Sequence, residues 1–102
     1  MNLQTLRYVV AIEQAGSFTK ASQYLYVSQS TLSRAVKELE EQIGITLFHR
    51  TNQGVHPTYD GLRFLGRVNH LLQEIDQLEG QYFNNSKRSD ETSLLVATQR
   101  CT

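Results

Sequence analysis

Hydrophobic positions in the first 44 residues of this 102-residue chain recur at spacings of three and four, as on the buried side of amphipathic helices. The pattern predicts three helices, because glycine and serine residues interrupt it. The first is expected to end at Gly16, and the second covers 18–25 with Ser17 as its N-cap. The third runs from an N-cap at Ser28 to about Ile43. The residues that the second helix is expected to bury are Phe18, Ala21 and Leu25.

Two short stretches after the third helix predict a small hairpin, or wing. They cover 47–50 and 55–58, and the Thr-Asn-Gln-Gly sequence at 51–54 between them is typical of a turn. Pro57 has no N–H to donate to a partner strand, so the second strand is expected to be an edge.

A longer helix is predicted next, from an N-cap at Thr58 to about Asn84. Its hydrophobic residues alternate at spacings of four and three, as in a coiled coil. This seam consists of Phe64, Val68, Leu71, Ile75, Leu78 and Tyr82. So wide an apolar face on so small a domain favours a partner helix, and hence dimerisation. The alternative is that the helix folds back onto its own domain. Part of its N-terminal half is expected to do both, packing on its own domain and on the partner helix.

These elements predict a mainly α chain, in which a winged helix-turn-helix of three helices and a two-stranded wing is followed by a long linker helix. We place the winged domain at 1–58 and the long helix at 59–85. Residues 86–102 are expected to form a polar hinge and the start of a truncated further domain, because Leu94–Thr98 is a strand-like run with nothing left to pair with.

The distribution of charge changes this picture more than its total does. Ten basic and ten acidic side chains give a net charge of zero and a pI near 6.8, which argues against nonspecific coating of nucleic acid or membranes. However, no acidic residue lies between Glu13 and Glu38, or between Glu41 and Asp60. Two such windows suggest one surface suited to a polyanion.

The third helix combines an apolar and a polar face. At about 100° per residue, its hydrophobic residues fall on one side and its amide, hydroxyl and cationic side chains on the other. The polar face consists of Gln29, Ser30, Ser33, Arg34 and Lys37. These groups are the ones that read base edges in the major groove, and the helix has no acid in its N-terminal half.

Several stretches combine into a specific set of motifs. They are Leu-Arg-Tyr-Val-Val-Ala at 6–11, Gly-Ser-Phe-Thr-Lys-Ala-Ser at 16–22, Val-Ser-Gln-Ser-Thr-Leu-Ser-Arg at 27–34, Leu-Glu-Glu-Gln-Ile-Gly at 39–44, Leu-Phe-His-Arg-Thr at 47–51 and Thr-Tyr-Asp-Gly at 58–61. Over about 85 residues the chain resembles the DNA-binding domain and linker helix of LysR-type bacterial transcriptional regulators. The resemblance implies a cytoplasmic, nucleoid-associated homodimer on a near-palindromic duplex, with a tetramer left open. It also implies that a small-molecule effector binds only to a C-terminal domain missing from this chain.

The resemblance also implies that the helix-turn-helix spans 18–37, and it implies a role for individual residues. Gln29, Ser33 and Arg34 would read bases in the major groove. Contacts to phosphates or neighbouring bases would come from Ser28, Ser30, Thr31, Lys37, Arg50 and Thr58. The wing, with Thr51, Asn52 and Gln53 at its tip, would lie on the backbone or minor groove. The chain departs from many members of the family in having Ser30 in place of a proline, and in having no arginine at the wing tip.

Other classes of protein fit less well. His49, His56 and His70 are too scattered for a metal site, and Cys101 has no partner histidine, so we expect no enzyme activity, metal or cofactor. No targeting segment or membrane span is expected. The stronger alternative is a winged-helix module for protein interaction or dimerisation without specific DNA binding.

Overall fold

The computed structural model describes residues 1–84. One compact unit spans Met1–Asn69, and the described residues from His70 onward belong to a second. The elements in chain order are α1 (Leu3–Ala15), α2 (Phe18–Leu25), α3 (Gln29–Ile43), β1 (Phe48–Thr51), β2 (Gly54–Pro57), α4 (Tyr59–Glu79) and a π-helical turn (Gly80–Asn84). This order confirms the predicted mainly α fold with a two-stranded wing. The predicted hinge at 86–93 and the strand at 94–98 lie outside the described residues.

Side-chain caps begin the first three helices. The Asn2 side chain accepts a hydrogen bond from the Thr5 N–H, Ser17 from Lys20 and Ser28 from Thr31. Each bond satisfies one of the amides that lack a partner in the first helical turn. The C-caps of α1 and α3 are Gly16 and Gly44, both in the left-handed conformation, with φ of 72° and 71°. The predicted boundaries of these helices are therefore confirmed.

The end of α2 departs from this pattern. Its C-cap is Tyr26, which has the left-handed φ of 59° although it is not a glycine. The Tyr26 side chain is 94% exposed, so no packing of the aromatic ring offsets the cost of this backbone conformation. The turn between α2 and α3 is thus held by the backbone, through the Val27 N–H, which donates to the Ser22 carbonyl over 3.1 Å.

The core of the Met1–Asn69 unit is built from the apolar faces of its helices and the inner face of the wing. Its most completely buried side chains are Val9, Ile12, Ala21, Leu32, Leu39, Leu47 and Leu65. One expectation was wrong: Leu25 is only half-buried, and Ser22 is buried instead. Ser22 is accommodated because its hydroxyl donates to the Thr19 carbonyl over 2.8 Å.

The wing is an antiparallel pair in which Phe48 faces Pro57 and Thr51 faces Gly54. Both strands lie within a residue of their predicted positions, but the turn is shorter, because Thr51 and Gly54 pair and leave only residues 52–53 between them. Gly54 has a φ of 128°, and a Cβ atom there would lie 2.7 Å from the Gly16 carbonyl oxygen. The same oxygen accepts the Val55 N–H over 3.1 Å, which joins the wing to the end of α1.

Thr58 caps α4 as predicted. Its hydroxyl accepts the Gly61 N–H over 2.9 Å and donates to the Thr46 carbonyl, and its own N–H donates to the Leu47 carbonyl over 2.9 Å. The regular α-helix ends at Glu79, earlier than the predicted Asn84. The π-helical turn begins at Gly80, a residue of low helix propensity.

The apolar residues of α4 differ in exposure. Leu65, Val68 and Leu72 are buried within the single chain, so Val68 belongs to the chain's own core. Phe64 and Ile75 are half-buried. The rest of the seam is exposed, namely Leu71, Leu78 and Tyr82 at 50, 53 and 59%. Within residues 1–84, no helix combines the length and apolarity needed to cross a membrane.

Candidate nucleic-acid interface

The polar face of α3 is displayed at the surface of the Met1–Asn69 unit. Gln29, Ser30, Arg34 and Lys37 are exposed, and Ser33 is half-buried. The opposite side of the same helix is buried through Leu32, Val36 and Leu39. The predicted division of α3 into an apolar and a polar face is therefore confirmed, and the N-terminal half of the polar face carries no carboxylate.

Three hydroxyl groups lie together at the N-terminus of α3. Ser28 Oγ accepts the Thr31 N–H over 3.0 Å, donates to Thr31 Oγ1 over 2.8 Å and lies 3.2 Å from Ser30 Oγ. No acidic residue lies in the first turn, so the positive end of the helix dipole is not neutralised by a carboxylate. The structure thus brings Ser28, Ser30 and Thr31 together where a phosphate oxygen would be favoured.

Arg50 links the wing to α2 and α3. Its guanidinium lies 4.1 Å from the centre of the Phe18 ring and donates to Ser33 Oγ over 3.2 Å. Phe18 in turn makes an edge-to-face contact with Phe48, with the ring centres 6.3 Å apart. Arg50 and Phe48 share this side of the wing because residues two apart in a strand point the same way.

The contact between Phe18 and Arg50 was not predicted from the sequence, which indicated only that Phe18 is buried. The available signal was the Phe48-x-Arg50 spacing on a predicted strand, which places an aromatic and a cation on one face. Nothing in the local sequence indicates which helix that face meets. A second contact links α2 and α3: the Thr19 hydroxyl donates to Gln29 Oε1 over 3.3 Å.

The remaining predicted DNA contacts lie on the wing and at the start of α4. Asn52 and Gln53 are exposed at the wing tip. The Thr51 hydroxyl accepts the Gln53 N–H over 3.1 Å and so shapes the turn. Thr58 is half-buried, and its hydroxyl is engaged in capping α4 and in the bond to Thr46. Thr51 and Thr58 therefore support the site's shape, whatever further contacts they make.

Glu40 makes a second long-range contact that the sequence did not indicate. Its carboxylate accepts the backbone N–H groups of Leu47 and Phe48, at 2.7 and 3.4 Å. Glu40 thus joins the C-terminal half of α3 to the start of the wing.

The described residues of this surface offer hydrogen-bonding and cationic groups. Within residues 1–84, no group of three or more histidine, cysteine, aspartate or glutamate side chains is placed to hold a metal ion. His49 and His56 face each other across the two strands, and His70 pairs with Glu74 on α4 at 3.3 Å. Three helices, the third with a buried apolar face and an exposed polar face, followed by a two-stranded wing, define the winged helix-turn-helix class of proteins.

The comparison with known families agrees. The model of the bacterial regulatory helix-turn-helix proteins of the lysR family matches residues 3–62, and the chain belongs to this family.

Among relatives, the transcriptional regulator BenM of Acinetobacter baylyi is 41% identical over 78 residues, which are 76% of this chain and 26% of BenM. The uncharacterised regulator YcgK of Bacillus subtilis is 36% identical over 78 residues, which are 76% of this chain and 24% of YcgK. The chain thus spans about a quarter of the length of these relatives.

Solved structures extend the likeness to the fold. The DNA-binding domain (DBD) of BenM has been solved in complex with catB site 1 DNA. Its sequence is 37% identical to this chain, and the two structures superpose with a TM-score of 0.76 over 90% of this chain and 95% of that one. A complex of the CbnR DBD with DNA is 27% identical with a TM-score of 0.72, covering 90% and 98%.

Proposed function

We propose that this chain binds double-stranded DNA sequence-specifically, as the DNA-binding part of a bacterial transcription regulator. The observation that carries the proposal is the polar face of α3, which lies at the surface and has no carboxylate in its N-terminal half although the whole chain has no net charge. A helix with this face fits the major groove, where amide, hydroxyl and guanidinium groups bond to base edges. The DNA complexes of related domains support the same function. Such a regulator acts on the chromosome, which places it in the cytoplasm.

The proposed DNA contacts are of two kinds, those to base edges and those to phosphates. Gln29, Ser33 and Arg34 lie within about one and a half turns of α3 and are assigned to base edges. Lys37 lies further along the same face and is assigned to a phosphate. The hydroxyl cluster at the start of α3 and Arg50 of the wing are also assigned to phosphates, because they flank the polar face. Phosphate contacts fix orientation, and only the base contacts distinguish sequences.

We propose further that two copies pair through α4. The exposed seam residues Leu71, Leu78 and Tyr82 present an apolar strip that a second copy of the helix would cover. A two-fold dimer places two recognition helices on the duplex, so the operator would contain two related half-sites.

The experiment that tests DNA binding begins with selection from a random duplex pool, followed by titrations of the selected site over a range of salt concentrations. Binding is expected to weaken with log salt at a slope of about −0.9 per phosphate neutralised. Failure to bind any duplex at low salt would contradict the proposal and favour a winged-helix module for protein interaction.

Two variants separate the roles. Arg34→Ala is expected to reduce discrimination at one base pair by roughly 1–3 kcal/mol, because guanidinium groups pair with guanine O6 and N7. Lys37→Ala is expected to weaken all duplexes alike and to lower the salt slope by about one phosphate. Arg67→Ala, which removes an exposed cation from α4, serves as the control. If Arg34→Ala lowered every affinity equally, Arg34 would be a phosphate contact.

A further inference from the structure

Two residues in the first turn of α2 control side chains that α3 would use to read bases. Phe18 supports the Arg50 guanidinium, which donates to Ser33 Oγ, and Thr19 donates directly to Gln29 Oε1. In both cases the atom engaged is a hydrogen-bond acceptor of the reading side chain. The contacts therefore affect whether Ser33 and Gln29 offer a hydrogen-bond donor or an acceptor to DNA.

Ser33 loses much of its capacity to accept. A serine hydroxyl has one O–H and two lone pairs, and a nearby N–H normally bonds to a lone pair while the O–H rotates away from it. The Arg50 group is cationic, so its bond at 3.2 Å also disfavours a second donor at the same oxygen. Ser33 is thereby left to present its O–H.

Arg50 can hold this position because its guanidinium contacts both the Phe18 ring and Ser33 Oγ. The Arg50 Cζ atom lies over the ring of Phe18, a residue only 6% exposed, at 4.1 Å from the ring centre, and the edge-to-face contact with Phe48 fixes that ring. A guanidinium suits such a contact with an aromatic ring, and lysine does not reproduce it. The orientation of the Ser33 hydroxyl thus depends on a buried aromatic residue.

Gln29 is oriented in a similar way. The Thr19 hydroxyl approaches the amide oxygen, which leaves the amide nitrogen with its two N–H groups as the unengaged end. The other long side chains of the polar face, Arg34 and Lys37, are donors only. No carboxylate lies between Glu13 and Glu38 to accept from a cytosine amino group.

We propose that Phe18 and Thr19 are positioning residues that present Ser33 and Gln29 to DNA as hydrogen-bond donors. The helix then selects base atoms that accept in the major groove, which are purine N7, guanine O6 and thymine O4. The inference rests on the proposed function, and it adds to that function a chemical rule for the bases that these two residues contact.

The first experiment changes Thr19, because this residue is exposed and its substitution leaves the buried side chains in place. Every single base-pair substitution of the selected duplex is titrated against wild type, Thr19→Val and the control Thr19→Ser, which keeps the hydroxyl. Thr19→Val is expected to relax the preference at one base pair by about five- to tenfold, whereas Thr19→Ser keeps it. That base pair is also expected to be the one relaxed by Gln29→Ala.

The second experiment concerns Phe18 and Arg50. Phe18→Leu keeps an apolar side chain but removes the ring face, and Arg50→Lys keeps the charge but loses the stacking. Both are expected to relax the preference at the base pair that Ser33→Ala identifies, with the salt slope unchanged. Adding Ser33→Ala to Arg50→Lys is expected to give no further relaxation there. Arg50→Lys keeps the test decisive if Phe18→Leu fails to fold.

A third measurement tests the chemical rule on wild type. At the two identified base pairs, an acceptor is removed either with a 7-deazapurine, which lacks N7, or with 2-aminopurine in place of guanine, which lacks O6. Either change is expected to weaken binding about five- to tenfold. Removing a donor, with purine in place of adenine, is expected to leave binding unchanged. Weakening by loss of the donor would overturn the rule.

The outcomes separate the inference from the proposed function. If wild type selects no sequence, the proposed function fails, and the inference fails with it. If wild type selects a site, but Thr19→Val and Arg50→Lys leave every base preference intact or weaken all duplexes equally, the function stands. The positioning role of Phe18 and Thr19 is then refuted.

Discussion

Gly61 and Gly66 lie five residues apart in α4, and alanine at these positions is expected to change stability in opposite directions. An added Cβ at Gly61 would overlap the Leu47 carbonyl oxygen and lie 3.0 Å from the Leu47 carbonyl carbon and 3.1 Å from Thr58 Oγ1. An added Cβ at Gly66 would meet nothing within 4 Å. The two substitutions therefore share their chemistry and differ in their surroundings.

The surroundings of Gly61 cannot move cheaply. The Leu47 carbonyl accepts the Thr58 N–H over 2.9 Å, and the Leu47 N–H donates to Glu40 over 2.7 Å. The Leu47 side chain is completely buried. Displacement of this backbone would disturb both the cap of α4 and the start of the wing. Forcing extra atoms into packed surroundings typically costs about 1–3 kcal/mol.

The helix propensity of alanine acts the other way at both positions and contributes about 1 kcal/mol relative to glycine. At Gly66 nothing opposes this gain, so Gly66→Ala is expected to stabilise by about 1 kcal/mol. At Gly61 the overlap exceeds or cancels the gain, so we expect a net loss of up to about 2 kcal/mol. In a domain of this size each kcal/mol corresponds to about 4–8 °C in Tm.

Thermal unfolding followed by circular dichroism measures the difference, with wild type and both variants at one protein concentration, because the proposed dimerisation would make Tm depend on concentration. Gly66→Ala is expected to unfold at a higher temperature than wild type and Gly61→Ala at a lower one. A Tm for Gly61→Ala equal to or above that of Gly66→Ala would show that Leu47 yields, and that the close approach does not constrain the start of α4.

Three further predictions follow from single contacts. Tyr26→Gly is expected to stabilise the fold by about 1 kcal/mol in denaturant unfolding, because glycine relieves the left-handed strain and the exposed ring contributes no packing; a clear loss of stability would refute this. Glu40→Ala is expected to destabilise by about 1–3 kcal/mol, since it leaves two backbone N–H groups without their acceptor, and Glu41→Ala is the exposed control that should stay within about 0.5 kcal/mol of wild type. Leu78→Glu is expected to shift a dimer towards monomer in sedimentation, whereas Leu62→Glu, equally exposed at 53% but about 160° around α4, is expected not to; equal effects would place the interface elsewhere.

The order of the helices and the boundaries of the first three were determined by the sequence alone, because the forces that set them act over three or four residues. An apolar residue every third or fourth position buries one face, and a serine hydroxyl bonds to the N–H three residues on, as at Ser17 and Ser28. The apolar and polar sides of α3 follow from the same periodicity. The family motifs also lie within short stretches, so the class of the protein could be predicted.

Only the tertiary structure decided which of these local elements act together. Arg50 reaches Ser33 across 17 positions of the chain, and the Glu40 carboxylate meets the wing seven positions further on. The approach of Gly54 to Gly16, the burial of Val68 and the exposure of Leu71 likewise depend on the path of the backbone. Periodicity states which side of a helix is apolar, but not what covers it. The orienting contacts of Phe18 and Thr19 arise from packing between elements, because residues distant in sequence become neighbours only once the chain has folded.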